Sequence, residues 1–174
     1  MEKSQSIVWD GKEGKGGKIQ ALPFVTHSLA LVCYDAGDLC VQYAGQTHWL
    51  CPGRIGRKKL ITDNQRNPGD KVHGQVAFSG PMQVRWRTAD GARHALELDL
   101  DRLFASKSVP HQEDPERIYQ PMPFARGEPT LLLEVNGRML NLYLDASIQL
   151  LPEPGYVQAL QRRRRRFLAF RKVF

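Results

Sequence analysis

The sequence lacks any apolar run of about 18 residues, the length that a membrane-spanning helix requires. Its first 20 residues are polar and rich in glycine and lysine, without the apolar core of a signal peptide. These two absences predict a cytoplasmic protein with no transmembrane segment. The protein would be periplasmic if a leader had been removed.

Cysteine is scarce, since the 174 residues include only Cys33, Cys40 and Cys51. An odd number without a Cys-x2-Cys pair indicates neither a disulfide framework nor a zinc knuckle. A zinc site would have to gather these three with His27 and His48, and the hairpin argued below separates Cys33 from Cys40. We therefore expect no metal and small buried thiols, while a Cys40–Cys51 bridge stays open for an oxidising compartment.

Signatures of catalysis and of cofactor binding are also missing. There is no Gly-x-Ser-x-Gly elbow, and no Cys–His pair has a supporting motif. Segment 11–18, GKEGKGGK, has the glycines of a phosphate-binding loop but neither its Gly-Lys-Ser/Thr ending nor a following helix pattern. We predict a protein that is not an enzyme and has no cofactor, with an uncharacterised hydrolase as an alternative.

Acidic residues are absent from the last 20 positions, 155–174. Seven of the 25 lysines and arginines lie there, and the remaining 18 are balanced by the 18 aspartates and glutamates. The net charge of +7 is therefore a property of one terminal segment. This distribution argues against a basic groove spread over the whole domain.

The remaining pattern predicts one mainly β domain. The chain has the usual length of a single domain, and 41% of its residues are hydrophobic. We divide it into a flexible Gly/Lys-rich arm (1–22), a β domain (23–153) and a basic C-terminal helix (154–174). Short apolar runs separated by turn residues predict an antiparallel β-sandwich or a partly open barrel.

Three hairpins are indicated by agreement between turn length and side-chain alternation. In the first, strands 28–34 and 38–43 flank the loop Asp35-Ala36-Gly37, with Gly37 left-handed. In the second, strands 82–88 and 92–100 pair Trp86 with His94, Val84 with Leu96, and Met82 with Leu98. In the third, an Asn136-Gly137 turn pairs Leu133 with Leu140 and Leu131 with Leu142. Further strands at 58–62 and 71–78 and a helical turn at 99–105 are also expected.

The C-terminal segment shows a different period. No proline or glycine follows Gly155, and Tyr156, Leu160, Phe167, Phe170 and Phe174 recur at spacings that favour one apolar stripe on a helix. The expected helix carries the cations Arg162, Arg163, Arg164, Arg165 and Arg166. We interpret this run as an anion-binding surface, with a solvated helical face as the alternative.

Two further features are candidates for partner binding. Arg85, Arg87 and Arg93 form a cationic stripe on the wet side of the second hairpin. The proline-rich segment 106–128 offers Tyr119, Met122 and Phe124 as apolar anchors on a constrained backbone, although it could also be an edge that covers the core.

Three stretches carry a resemblance to a known group of proteins: the hairpin with Tyr34 and Tyr43, the segment VRWRTADGARHALELDL (84–100) and the segment PTLLLEVNGRMLNLYLD (129–145). Over about residues 25–150 the chain resembles small β-rich immunity or accessory proteins that are encoded beside antibacterial type VI secretion effectors, notably phospholipases. The resemblance implies a non-catalytic, protein-binding module that binds a toxic effector and neutralises or escorts it. The alternative is nucleic-acid or anionic-membrane binding through the arginine-rich helix.

Overall fold

The protein, described by a computed structural model over residues 20–65, 71–155 and 159–174, is mainly β. Besides strands, these ranges contain α1 (Leu100–Leu103) and 3₁₀ helices at Ile61–Gln65, Pro115–Arg117 and Ala125–Gly127. The strands are β1 (Gln20–Pro23), β2 (Thr26–Tyr34), β3 (Ala36–Tyr43), β4 (Gln46–Ile55), β5 (Lys71–Val76), β6 (Met82–Thr88), β7 (Arg93–Leu98), β8 (Ser108–His111), β9 (Thr130–Asn136), β10 (Met139–Leu150) and β11 (Gln161–Val173). Most of the predicted arm lies outside the described residues, but its end belongs to β1.

Two sheets contribute their inner faces to one hydrophobic core. One has five strands in the order β11-β10-β9-β2-β5, and the other has four in the order β4-β3-β6-β7, while β1 pairs with β8. Leu29, Leu133 and Leu142 from the first sheet join Val41 and Val84 from the second in the core. The described strands close no barrel, and β2 lies parallel to β9, so the larger sheet is not purely antiparallel.

The second hairpin is confirmed in full, because β6 and β7 pair in the predicted register. Trp86 lies opposite His94, Val84 opposite Leu96, and Met82 opposite Leu98. The predicted strand at 71–78 is confirmed by β5 and the predicted helical turn by α1, whose first turn is capped by the carboxylate of Asp99. The strand expected at 58–62 is wrong, since that stretch is irregular and leads into a 3₁₀ helix.

The third hairpin exists, but its predicted register is wrong by two residues. Leu142 lies opposite Leu133 and Leu140 opposite Val135, so Leu133 and Leu140 are not cross-strand neighbours. Asn136 stays in the ladder opposite Met139, because on its other side it pairs with Tyr34 of β2. The turn is thereby moved one residue along, to Gly137 and Arg138. A shift of two leaves each side chain on its predicted face.

The first predicted hairpin is wrong, because β2 and β3 belong to different sheets. The chain crosses between the sheets at Asp35, which has a positive φ of 48°, whereas Gly37 lies within β3. An added Cβ at Gly37 would meet the carbonyl oxygen of Arg54 at 1.9 Å, so glycine permits close approach of β4 there. The true hairpin turn is Ala44-Gly45, where both residues have positive φ as a type I′ turn requires.

The predicted C-terminal helix is also wrong: β11 is a long edge strand that pairs with β10 along its whole length. Leu142 lies opposite Phe170, but Tyr143 lies opposite Leu168, so a β-bulge leaves Ala169 as an extra residue. The bulge turns Phe167 and Phe170 to the same face. Phe167 and Phe170, three positions apart, can therefore share one face of a strand. The same three-residue spacing in the sequence predicted a helix. Tyr156 lies outside the described residues.

Leu133→Ala should lower the free energy of unfolding by about 2–5 kcal/mol, because it leaves a cavity at a fully buried position of β9. The matched control is Leu96→Ala on β7, because Leu96 is only partly buried and its loss should cost less. Urea unfolding of both variants measures the difference. Equal losses would show that the two positions are packed alike.

Stability should decline as the pH falls below 6.5, because of His27. This ring is fully buried, with Nε2 2.8 Å from the Tyr43 hydroxyl and Nδ1 3.0 Å from the Ser28 carbonyl oxygen. Burial holds the pKa of His27 below its ordinary 6.5, outweighing the hydrogen bond to Ser28 and the charge of Glu128. As the pH falls below 6.5, the unfolded chain binds a proton at His27 before the folded protein does. The stabilisation is therefore fully present above pH 6.5 and is lost progressively as the pH falls toward the pKa of the folded state.

His27→Gln should therefore flatten the dependence of unfolding free energy on pH between about pH 7 and about pH 5.5, where one such group contributes up to about 1.4 kcal/mol per pH unit. Urea titrations at the two pH values measure it. Some slope should remain, because burial also lowers the pKa of His111. An unchanged slope in the variant would contradict the assignment to His27.

Candidate binding surfaces

The outward side of the four-stranded sheet carries the predicted cationic stripe. Alternation along β6 and β7 turns Arg85, Arg87 and Arg93 away from the core, and Arg85 and Arg93 are exposed. A row of cross-strand neighbours runs over this side from Trp49 through Cys40 and Arg85 to Ala95. We call the surface formed by Trp49, Arg85, Arg87 and Arg93 the cationic face.

The three arginines of this face differ in their pairing. Arg87 donates from Nε to Asp38 at 2.8 Å, and the Gly53 amide donates to the same carboxylate at 2.6 Å. These two hydrogen bonds hold the pKa of Asp38 below its ordinary value, and the bond from Arg87 has the larger effect. Arg85 and Arg93 pair with no carboxylate among the described residues, so their charge is open to an external partner.

Trp49 is the functional candidate that the sequence reading missed. It lies on β4 and is 59% exposed, which is unusual for the largest apolar side chain. Its neighbour Cys40 is buried on this outward side, where Trp49 and Arg85 flank it. The sequence signal was the Ala44-Gly45 turn, which would have identified β4 as the partner of β3.

The three predicted anchors of the proline-rich segment differ in how exposed they are. Phe124 is 2% exposed and bridges to Ile148 of β10, so it is a core side chain and not an exposed anchor. Tyr119 is half-buried and donates its amide to the Gln149 carbonyl oxygen at 2.9 Å. Met122 is exposed. The segment thus extends the larger sheet beside the end of β10, away from the cationic face.

The five-arginine run lies on β11 and is more compensated than its sequence indicates. Arg164 and Arg166 point to the outward side of the sheet, and both reach the carboxylate of Asp145. Arg165 bonds Glu113 at 2.7 Å. Arg162 and Arg163, both exposed, make no ion pair with any residue that the structure describes.

Asp145 is the electrostatic centre of this strand pair. The Nη2 atoms of Arg164 and Arg166 lie 2.7 Å and 2.6 Å from its Oδ2, and their Nε atoms also donate to it. Burial alone would raise the pKa of Asp145, but the hydrogen bonds from the two guanidinium groups outweigh it and hold the pKa below its ordinary value. These two arginines are therefore committed to the fold.

The outward side of the five-stranded sheet is covered by the segment that follows β4. Lys59 bonds the buried Glu134 at 2.7 Å, and Glu134 accepts a hydrogen bond from Asn141 at 2.9 Å. Arg166 donates to the carbonyl oxygen of Asn64 at 3.0 Å. Where the structure describes it, this side of the sheet is therefore a network of bonded polar groups.

The five side chains considered as zinc ligands do not lie at one site. His27 lies in the core and Cys40 under the cationic face, whereas Cys33, Cys51 and His48 line a cleft between the sheets. Among the described residues, no three His, Cys, Asp or Glu side chains converge as metal ligands. The helices of these same ranges include none that is long and apolar enough to cross a membrane.

Asp145→Asn should lower the free energy of unfolding by about 2–3 kcal/mol, because it leaves two adjacent guanidinium groups, 34% and 19% exposed, without their counter-charge. The matched control is Glu113→Gln, which removes the partner of the more exposed Arg165 and should cost about 0.5 kcal/mol. Urea unfolding at neutral pH compares them. Equal effects would contradict a structural role for the Asp145 pairs.

Comparison with protein-family models, curated proteins and solved structures gives no match for this chain. Its own surfaces are therefore the basis for its proposed function.

Proposed function

We propose that this protein is a non-catalytic binding module that recognises an acidic surface on another protein through the cationic face. The observation that carries the proposal is the exposed Trp49 in one row with the unpaired Arg85. Tryptophan and arginine are the residues that most often dominate binding energy at protein interfaces. A regular sheet also presents them on a rigid frame, so little conformational entropy is lost on binding.

The charge pattern of the face supports a protein partner over a polyanion. Arg85 and Arg93 share the outward side with the carboxylates of Asp38 and Glu97, and Gln83 bonds Glu97 at 3.3 Å. A nucleic acid or an anionic bilayer presents negative charge almost uniformly and would meet these carboxylates. A protein surface can place acidic groups against the arginines and donors against the carboxylates.

The biological role that we propose is that of an immunity or accessory protein, which binds a secreted antibacterial effector and neutralises or escorts it. Support for this role is the resemblance of residues 25–150 to such proteins. A module that acts by occupying a partner needs a rigid, accessible face and no turnover of its own. The cationic face meets the first requirement.

Polyanion binding through β11 is the second candidate, and it rests on Arg162 and Arg163. Both are exposed, without an ion pair in the described part of the chain, and lie in consecutive positions on an edge strand. Cations on an edge strand also oppose unwanted strand pairing, which gives them a purely protective reading. The two candidates use different sheets and can be separated by mutation.

Trp49→Ala should weaken binding to the effector encoded by the adjacent gene by about 30-fold or more, the loss of about 2 kcal/mol expected of an interface hot spot. The double variant Arg85→Glu/Arg93→Glu should weaken effector binding by more than Trp49→Ala does. Titration calorimetry with the full chain and the purified effector measures both.

The matched control is Arg162→Glu/Arg163→Glu, which makes the same change of charge on the other sheet and should leave effector binding within about twofold. Vesicles of phosphatidylglycerol and duplex DNA test the second candidate at low and high salt, since polyanion binding falls steeply with salt. Normal effector binding by the Trp49 variant, or loss of binding only in the control, would contradict the proposal. Hydrolysis of a lipid or ester by the purified protein would contradict its non-catalytic half.

A further inference from the structure

A cleft of about 730 Å³ opens between β2 of the larger sheet and β4 of the smaller one. Its apolar lining includes Leu29, Leu31 and Leu50. Two of the three cysteines also line it: Cys33 from β2 and Cys51 from β4. The cleft thus brings together thiols that are 18 positions apart in the sequence and belong to different sheets.

The chain that follows β4 passes close to the start of β3 and to the end of β2 at this point. The Gly56 amide donates to the Ala36 carbonyl oxygen at 2.7 Å, and an added Cβ on Gly56 would lie 2.5 Å from the carbonyl oxygen of Cys33. Cys51 has a positive φ of 52° in a stretch where the pairing of β4 with β3 shifts register. This local irregularity departs from the regular alternation of β4 and accompanies the entry of the thiol into the cleft.

The two thiols are direct neighbours. Cys33 is 8% exposed and donates from Sγ to the Ala36 carbonyl oxygen at 3.2 Å, while Cys51 is less buried. Burial, and to a smaller extent the neighbouring Cys51 with its side-chain hydrogen bond, raise the pKa of the Cys33 thiol to about 12. Cys40 takes no part, since it lies on the outward side of β3 beside Trp49 and Arg85.

We propose that Cys33 and Cys51 are a modification site, a dithiol that a small-molecule disulfide such as oxidised glutathione converts into a disulfide across the cleft. The more accessible Cys51 first attacks the small-molecule disulfide, which forms a mixed disulfide on Cys51 and releases one glutathione thiol. Cys33 then attacks the sulfur of Cys51 and releases the second glutathione. Two protein thiols are oxidised, one disulfide is reduced to two thiols, and the two protons leave on the released glutathione.

The order of attack follows from burial. Cys51 is less buried than Cys33, so it meets the reagent first. Cys33 is mostly protonated in its buried position and reacts through its minor thiolate form, which loses its proton to the released glutathione, only once the mixed disulfide lies beside it and the effective concentration is high. The product would covalently join the two sheets, an added constraint that the hydrogen bonds of β2 and β4 do not provide.

The test incubates the full chain with oxidised glutathione, blocks remaining thiols with an alkylating reagent under denaturing conditions, and maps the peptides by mass spectrometry. The expected result is one intramolecular link between the peptides of Cys33 and Cys51, with Cys40 alkylated. Oxidised wild-type protein should melt roughly 5–10 °C above the reduced form, the shift expected for closing a loop of this length. Cys40→Ala, the matched control, should behave like the wild type.

Cys33→Ala should stop the reaction at a mixed disulfide on Cys51, and Cys51→Ala should leave Cys33 unmodified. A link through Cys40, a stable glutathione adduct on wild-type Cys51, or a disulfide between two chains would each overturn the proposal. If a cysteine-to-alanine variant folds poorly, the corresponding serine variant and the link map of the wild type decide the question. None of these results depends on whether the cationic face binds an effector.

Discussion

The pairing of β10 along both of its edges is the constraint on which the rest of the structure depends. On one edge it pairs with β9 and, beyond Asp145, with the proline-rich segment; on the other it pairs with β11 for twelve positions. Its inward side chains, including Leu140, Leu142 and Ile148, are fully buried in the core. A strand with so many backbone groups to satisfy requires a long partner, and β11 supplies it.

This pairing also redistributes the charge of the protein. In composition, the acidic residues balance the cations of the first 154 positions and leave the terminal cations unmatched. In the fold, Asp145 and Glu113 are bonded to arginines of β11. Carboxylates from the first 154 positions thus pair with arginines of β11. Among the described residues, Arg85 and Arg93 form no ion pair with a carboxylate. Among the described residues, open positive charge therefore appears on the smaller sheet, at Arg85 and Arg93, as well as at Arg162 and Arg163 of the arginine run.

Strand β4 connects the two features that carry functional proposals. Trp49 is 59% exposed opposite Cys40, and it also lines the cleft, as does Cys51 two positions later. Two residues that are two positions apart normally share a face of a strand. Cys51 departs from regular strand geometry through its positive φ, and this short segment borders both the exposed surface and the cleft.

The sequence by itself determined the mainly β class, the complete register of β6 and β7, and the outward direction of Arg85, Arg87 and Arg93. These features are local: a two-strand unit with a short turn and strict alternation specifies its own pairing. The shared face of Leu131, Leu133 and Leu142, which is buried, was equally local, and it survived the two-residue shift because side-chain direction repeats every two residues.

Only the tertiary structure decided which strands share a sheet and what the C-terminal segment becomes. Arginine and phenylalanine are compatible with either helix or strand, so local propensity does not decide between them. Pairing with the edge of β10 made the segment a strand, and the bulge at Ala169 let apolar residues at helical spacing share one face of that strand. The separation of β2 from β3 depends on a parallel partner about 100 residues away. The ion pairs of Asp145 and the proximity of Cys33 and Cys51 join residues that are distant in the sequence. The exposure of Trp49 depends on how β4 pairs with β3. No local sequence pattern encodes any of these three features.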